Sequence, residues 1–241
     1  MCFSVNVNLI KEELEGRYGA TLIDQDKYRP SYYYHAFSFP EMPVVCSDDP
    51  SQLRIFKWGL IPSYTKDPEE ANIIRNKTFN ARSESLSTKK TFKWSFKSKR
   101  CIVPVKGFYE WQHSGKTKIP WYIYKAHDGI ISLAGLYDTW IYDESGEVFN
   151  TFSIITTDAN NMLAEIHNSA KRMPAILEDH DEEEWLDVRT SEDKLQSLLR
   201  PSREESLKAH TIGPLVNNRT AERNTPDIIK PFPYDIQATL F

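Results

Sequence analysis

The sequence predicts an α+β fold built on a mostly antiparallel, barrel-like β-sheet with peripheral helices. Strand-like runs come first, and helical segments occupy connections or the late part of the chain. This order is typical of α+β proteins and not of a doubly wound parallel sheet. Aromatic residues are plentiful (6 Trp, 12 Tyr, 12 Phe) and glycine is scarce (9), which favours sheets over a helical bundle. Short turn sequences between the strand-like runs predict hairpins.

The first predicted element is a short amphipathic helix at residues 8–19. Ile10, Leu14 and Tyr18 recur every four residues, and Gly19 follows as a terminator. The predicted strands lie at residues 53–62, 100–111, 120–125, 132–142 and 148–157. The predicted hairpin turns lie at residues 113–120 and 143–148.

Three further helices are predicted, at residues 67–76, 158–170 and 191–201. Asp158 is the expected N-cap of the second of these helices, and Ser191 is the expected N-cap of the third. At 241 residues the chain is long enough for one large core. Since it shows no internal repeat and no linker, we expect a single domain over residues 1–241.

Composition excludes several classes of protein. No apolar run approaches the ~20 residues that a membrane span needs, and the N-terminus lacks a signal-peptide profile. Three unclustered cysteines provide neither a disulfide framework nor a metal-ligand spacing. The nucleotide-binding, hydrolase and metalloprotease motifs are absent. We therefore expect a cytoplasmic protein with no metal, no cofactor and no membrane partner.

Charge is strongly segregated along the chain. The net charge is −4, yet residues 57–118 contain 14 basic and 5 acidic side chains, whereas residues 178–187 contain seven carboxylates. Such segregation can build a basic face, although a lysine-rich solvated loop explains the charge equally well. Six aromatic residues interleave with these basic side chains: Phe79, Phe92, Trp94, Phe96, Phe108 and Trp111. Stacking surfaces beside positive charge favour a site for single-stranded nucleic acid.

The second residue has distinctive chemistry. If Met1 is removed, Cys2 carries a free α-amine beside its thiol, and this pair can close a thiazolidine ring with an aldehyde. The alternative is that Cys2 simply opens the first strand. Glu110 lies in an apolar strand where alternation places it with Phe108, opposite Tyr109 and Trp111. There it is either a desolvated acid–base group or a strand-end residue at the solvent edge.

The local sequence likewise leaves the roles of His167 and Asn80 undecided. His167 could cap a helix end, and Asn80 could belong to a turn. The informative segments, taken together, are Cys2, WGLIP (58–62), FNARSES (79–85), RCIVPVKGFYEW (100–111), LAGLY (133–137), FSIITTDAN (152–160) and the His167 region through RMPAIL (172–177). Their combination resembles the SRAP (SOS response-associated peptidase) family, which includes proteins that shield abasic sites.

The resemblance implies a function in the DNA damage response. The protein would bind single-stranded DNA and form a thiazolidine crosslink with abasic sites through Cys2. Asn80 would orient the amine or sugar, Glu110 would shuttle a proton, and His167 would assist ring opening. The implied DNA-contacting residues are Trp58, Pro62, Arg82, Ser83, Glu84, Trp111, Arg172, Met173 and Pro174. Lyase activity and peptidase activity, including self-removal of Met1, are further implications.

This chain departs from the family pattern in two places. Cys2-Phe3-Ser4 replaces the common CGR, losing an arginine that would contact phosphate, and four residues separate His167 from Arg172. Two other functions remain open: a thiol hydrolase of peptides that uses Cys2, His167 and Asn80, and a non-catalytic single-strand DNA-binding module. We expect a monomer, associated with the nucleoid if the protein is bacterial.

Overall fold

The computed structural model of the chain describes residues 2–234. These residues form two sheets with flanking helices. The strands are β1 (Ser4–Val7), β2 (Thr21–Leu22), β3 (Ser31–His35), β4 (Glu41–Cys46), β5 (Asp49–Trp58), β6 (Asn80–Arg82), β7 (Arg100–Val105), β8 (Gly107–Ser114), β9 (Thr117–Lys125), β10 (Ile131–Tyr142), β11 (Glu147–Asp158), β12 (Arg172–Pro174), β13 (Ile176–Leu177) and β14 (Leu207–Thr211). The α-helices are α1 (Lys11–Tyr18), α2 (Pro68–Arg75), α3 (Lys90–Ser98), α4 (Asn161–Ile166), α5 (Glu182–Leu186) and α6 (Glu192–Leu198).

Five strands of the larger sheet close into a ring in the order β11-β10-β7-β4-β5. Neighbours in this ring are antiparallel except β5, which pairs in parallel with β11 through Lys57 and Trp58. Closure leaves these five strands without an open edge. The prediction of an α+β fold on a mostly antiparallel, barrel-like sheet is therefore confirmed.

The smaller sheet has the order β14-β9-β8-β1-β3 and packs onto the barrel. Val5 and Phe108 from this sheet share one core with Leu133 and Phe152 from the barrel, and all four are fully buried. Each such side chain stabilises the fold by roughly 1.5–3 kcal/mol. The smaller sheet is thus held by apolar packing, and its strands β1 and β8 lie side by side.

Local signals in the sequence mark several element ends correctly. Gly19 ends α1 in the left-handed conformation and donates its N–H to the Glu15 carbonyl. Gly115 and Gly146 have positive φ in the predicted β8–β9 and β10–β11 turns, where glycine avoids the steric cost of a Cβ. Ser191 caps α6 as predicted, accepting a hydrogen bond from the N–H of Lys194. In residues 2–234 no helix is both long and apolar enough to span a membrane.

Two of the differences from the predicted boundaries affect the site. The predicted strand 100–111 is two strands, β7 in the barrel and β8 in the smaller sheet, because the chain crosses between sheets at Lys106. The expected N-cap Asp158 is instead the last residue of β11, where it accepts a hydrogen bond from Arg172 at 2.8 Å. Asn160 caps α4 by accepting the Leu163 N–H at 2.9 Å.

The interleaved aromatic residues mostly belong to the core. Four of the six are buried: Phe79, Phe92, Phe96 and Phe108. Arg100 is also fully buried and donates to the backbone carbonyls of Trp185, Phe96, Lys97 and Asp187. Trp94 on α3 is 62% exposed. Much of the aromatic and basic pattern therefore reflects the packing of α3 and β7.

Candidate active site

Cys2 lies immediately before β1 and is fully buried. Its Sγ is 3.9 Å from the carbonyl oxygen of Ser4. Burial raises the pKa of the Cys2 thiol well above its usual range, and the nearby Glu110 carboxylate raises it further. The side chain is therefore a protonated thiol at neutral pH, and it needs a neighbouring base before it can act as a nucleophile.

Glu110 lies in the middle of β8, the strand that pairs directly with β1. Phe108 on the same face belongs to the core that contains Cys2, whereas Tyr109 packs with Tyr122 in a separate cluster. Glu110 therefore shares the face of Phe108, as strand alternation predicts, and of the two alternatives for that face the structure has the interior one. Burial raises the pKa of its carboxyl to about 8, so the group is poised to exchange protons near neutral pH.

Asn80 reaches the same place from the barrel side. It is the first residue of β6, which pairs in parallel with β11. Its Nδ2 donates to the carbonyl oxygen of Cys2 at 2.9 Å. Its Oδ1 is buried and finds no hydrogen-bond partner among residues 2–234. Asn80 therefore fixes the backbone of Cys2 while keeping an acceptor for another group.

His167 completes the group from the end of α4. It is 8% exposed, and its Nδ1 lies 2.8 Å from the carbonyl oxygen of Arg172. Burial lowers the pKa of the imidazole, which favours the neutral ring at physiological pH. Since a carbonyl only accepts, Nδ1 carries the proton, and Nε2 is the basic nitrogen.

The four residues between His167 and Arg172 form a compact turn. Lys171 adopts a left-handed conformation and donates its N–H to the His167 carbonyl at 2.8 Å. Asn168 exchanges hydrogen bonds of 3.0 and 2.9 Å with the backbone of His113 on β8. The extra residues therefore loop outward, and His167 and Arg172 remain in direct contact.

Glu110 and His167 open onto a pocket of about 610 Å³. Its lining comprises Phe3, His35, Glu110, Trp111, His113, Lys118, His167, Ser169, Ala170, Asn217 and Arg219. Sequence reasoning missed His35, His113, Asn217 and Arg219. For Asn217 and Arg219 the sequence did offer a signal. The tract NNRTAER (217–223) carries two arginines outside the predicted basic window.

The predicted DNA-contacting residues divide into accessible and buried groups. Arg82 is exposed. Trp111 is partly exposed in the pocket, where its Nε1 donates to Asn217 Oδ1 at 2.8 Å. Glu84, about half exposed, forms a 2.9 Å ion pair with Arg172. Arg82 and Trp111 are thus placed to meet a ligand.

The remaining predicted contacts lie in the interior. Trp58 is fully buried, stacked on Phe152 at 6.1 Å with its Nε1 donating to the Phe79 carbonyl. Its ring is packed within the core, so the structure offers no exposed surface of Trp58 for the predicted contact with DNA. The other buried members of the set are Pro62, Ser83, Arg172, Met173 and Pro174. Their burial distinguishes these five residues from the exposed Arg82 and Glu84.

Comparison with known proteins identifies the family. A family model described as SOS response associated peptidase (SRAP) matches residues 1–219. The chain is a member of the SRAP family. Among SRAP relatives, the abasic site processing protein YoqW of Bacillus subtilis (strain 168) is 38% identical over 210 residues, covering 86% of this chain and 89% of YoqW. The abasic site processing protein HMCES of Xenopus tropicalis is 35% identical over 234 residues, covering 85% of this chain and 67% of HMCES.

Solved structures share this fold. A protein from Bacteroides thetaiotaomicron superposes with a TM-score of 0.90 at 37% identity, covering 96% of this chain and 100% of that one. A protein from Bordetella bronchiseptica gives a TM-score of 0.77 at 21% identity, covering 88% of this chain and 100% of that one. The second likeness concerns the fold alone.

Proposed function

We propose that this SRAP protein processes abasic sites in DNA. After removal of Met1, the amine and thiol of Cys2 form a thiazolidine with the aldehyde of an abasic site in single-stranded DNA, shielding the site during the DNA damage response. The main support for the proposal is the arrangement of Asn80 and Glu110 around Cys2. Asn80 holds the backbone of residue 2 at 2.9 Å, and the buried Glu110 is close enough to raise the pKa of its thiol.

The reaction needs two bonds to carbon and the loss of one water. The neutral α-amine, with an ordinary pKa of about 7.7–8.0, attacks the aldehyde carbon to give a carbinolamine. The hydroxyl departs as water once it has received a proton, leaving an iminium ion. The Cys2 sulfur then attacks the same carbon, and the iminium electron pair returns to nitrogen.

Glu110 is suited to both proton transfers. Its raised pKa, about 8, keeps the carboxyl protonated at neutral pH, so that it can give a proton to the departing hydroxyl. The resulting carboxylate then accepts the proton of the Cys2 thiol, whose raised pKa makes that base necessary. One group thus serves as acid and then as base.

Asn80 and His167 act on the amine and the sugar. The buried Oδ1 of Asn80 accepts a hydrogen bond from the amine, orienting its lone pair toward the aldehyde. Nε2 of neutral His167 accepts the proton of the anomeric hydroxyl while the bond between C1′ and the ring oxygen breaks. It then returns the proton to that oxygen, leaving the aldehyde and a hydroxyl on the opened sugar.

Intact mass spectrometry tests the proposal. Protein shown to lack Met1, mixed with a single-stranded oligonucleotide containing one abasic site, should give a one-to-one adduct lighter than the sum of its parts by one water. An undamaged oligonucleotide of the same sequence is the control. A protein whose N-terminal tag remains attached should form no adduct, because its residue-2 nitrogen is an amide. Failure of the Met1-free sample to form the adduct would overturn the proposal.

DNA affinity should depend strongly on salt. If about five phosphates are contacted, log affinity should fall against log salt with a slope near −3.5, from ~0.7 per phosphate on single strands. Arg82→Ala should weaken binding to all sequences and reduce the slope by about 0.7, since Arg82 is exposed. Fluorescence anisotropy across a salt series provides the measurement. Affinity that does not change with salt would remove phosphate contacts from the proposal.

A further inference from the structure

A row of aromatic rings runs along β3 beside the pocket. Tyr33 and His35 lie two residues apart on β3, on one face of the strand, and Phe37 follows in a single turn of 3-10 helix. Tyr33 and His35 stack at 6.3 Å, and His35 and Phe37 stack at 5.4 Å with an interplanar angle of 28°. We call Tyr33, His35 and Phe37 the aromatic ladder.

Phe37, at the end of the ladder, packs against neighbouring rings and is also exposed to solvent. Phe37 packs on Phe3 at 5.5 Å and on Phe79 at 4.8 Å, yet it remains 54% exposed. The ladder's spacings of 5.4–6.3 Å leave no gap for an inserted base, which requires about twice the 3.4 Å rise of stacked nucleotides. A base can therefore add only outside the row of rings, against the exposed part of Phe37.

Two arginines lie beside the ladder. Arg223 lies over the Tyr33 ring at 4.4 Å, and Arg219 and Arg223 line a second pocket of about 640 Å³ with all three ladder residues. Neither arginine forms an ion pair within 4.0 Å of a carboxylate in residues 2–234. Their charge is thus available to an anion.

Hydrogen bonds hold both ends of the segment that carries these arginines. Asn217 Oδ1 accepts from the Trp111 indole at 2.8 Å, and Asn224 Oδ1 accepts from the Tyr32 N–H at 2.9 Å. Burial lowers the pKa of His35, and the positive charges of Arg223 and Arg219 lower it further. The cations are therefore held close to a neutral imidazole, which can stack without repelling them.

The second pocket continues the first. His35 and Arg219 line both the 640 Å³ pocket and the pocket that contains Glu110 and His167. We propose that the aromatic ladder with Arg219 and Arg223 binds the unpaired nucleotides next to the reacting sugar, a base stacking on Phe37 and phosphates contacting the two arginines. The choice of DNA as occupant rests on the proposed function. Stacking rings beside positive charge are the features that a single strand requires.

Binding of a fluorescent, undamaged thymidine oligonucleotide, measured by anisotropy, tests the ladder without any crosslinking. Phe37→Ala should weaken binding about ten-fold, within the range for loss of one stacked base, and Phe37→Trp should retain it. Arg219→Ala should reduce the salt slope by about 0.7. The matched comparisons are Trp94→Ala, an exposed ring with Lys93 over it at 5.5 Å, and Arg189→Ala, an exposed arginine paired with Asp187. Both should bind as the parent does.

The outcomes separate the ladder from the proposed function. Weakened binding by Phe37→Ala and Arg219→Ala supports the ladder even if the parent forms no adduct with abasic DNA. Parental binding by both variants, in a protein that does form the adduct, overturns the ladder and leaves the proposed function intact. If Trp94→Ala loses more DNA affinity than Phe37→Ala, the DNA strand lies on α3, and the proposal for the ladder is overturned. If Phe37→Ala melts early, Phe37→Trp and Arg219→Ala decide the question.

Discussion

Cys2→Ala is expected to abolish the denaturation-resistant adduct with abasic DNA. The variant retains the α-amine but loses the sulfur that closes the ring, so the reaction stops at the imine. Water hydrolyses an imine readily, and no stable product should survive denaturation. Treatment with borohydride should trap the imine as a secondary amine. Denaturing gels with and without borohydride measure both species.

Two other cysteine variants sharpen this test. Cys2→Ser keeps the side-chain size but offers a weaker nucleophile, so it should resemble Cys2→Ala. Cys101→Ala removes a different fully buried thiol and should leave the adduct in place. A stable adduct in Cys2→Ala without borohydride would show that the sulfur is not required and would rule out the thiazolidine.

Glu110→Gln is expected to slow adduct formation by about 10²–10⁴-fold, the usual contribution of a general acid–base group. This corresponds to roughly 3–5 kcal/mol of activation free energy at about 1.4 kcal/mol per decade. Glutamine keeps the shape of the side chain but transfers no proton, so DNA binding should be close to that of the parent. Single-turnover kinetics, with binding measured separately by anisotropy, test this expectation.

The dependence of the rate of adduct formation on pH also tests the role of Glu110. The parent needs a neutral amine, whose fraction rises through its pKa of about 7.7–8.0. It also needs a protonated Glu110, whose fraction falls above about pH 8. The parental rate should therefore pass through a maximum near pH 8, whereas the rate of Glu110→Gln should rise to a plateau. A parental rate in the variant would exclude Glu110 from the mechanism.

Melting curves provide the control for folding. The pKa of Glu110 is raised by burial, so the folded protein binds more protons than the unfolded chain between about pH 4.3 and pH 8. The stability contributed by the protonated carboxyl is present at low pH and declines as the pH rises toward 8. The parent should thus lose stability relative to Glu110→Gln over this interval. A variant that is unstable at every pH would point to a structural role.

Local patterns predicted much of the fold. The β8–β9 and β10–β11 hairpins follow from strand alternation and turn glycines. The same alternation places Glu110 on the face of Phe108, but it left open whether that face is interior or at the solvent edge. The division of residues 100–111 could not be predicted, because both halves are apolar and only tertiary pairing sends them to different sheets. Long-range packing likewise buries Trp58, which the family resemblance placed among the DNA-contacting residues.

The candidate site was predictable by resemblance more than by local sequence. Asn80, Glu110 and His167 come from separate elements. The pairing of β8 with β1 brings Glu110 to Cys2, whereas Asn80 reaches it only because the smaller sheet packs on the barrel. The aromatic ladder was missed because its strand lies outside the predicted elements. Its arginines lie nearly two hundred residues later in the chain, and no short-range signal links the two.

The burial of Cys2 has a consequence for the order of events during synthesis. The strand that follows Cys2 pairs with β8, and Asn80 and Glu110 leave the ribosome about 80 and 110 residues after it. At about 5–20 residues per second, the N-terminus is translated several seconds before the groups that enclose residue 2. Under the proposed function, an aminopeptidase acting on the nascent chain meets an open substrate. Maturation of the amine can thus precede assembly of the pocket that uses it.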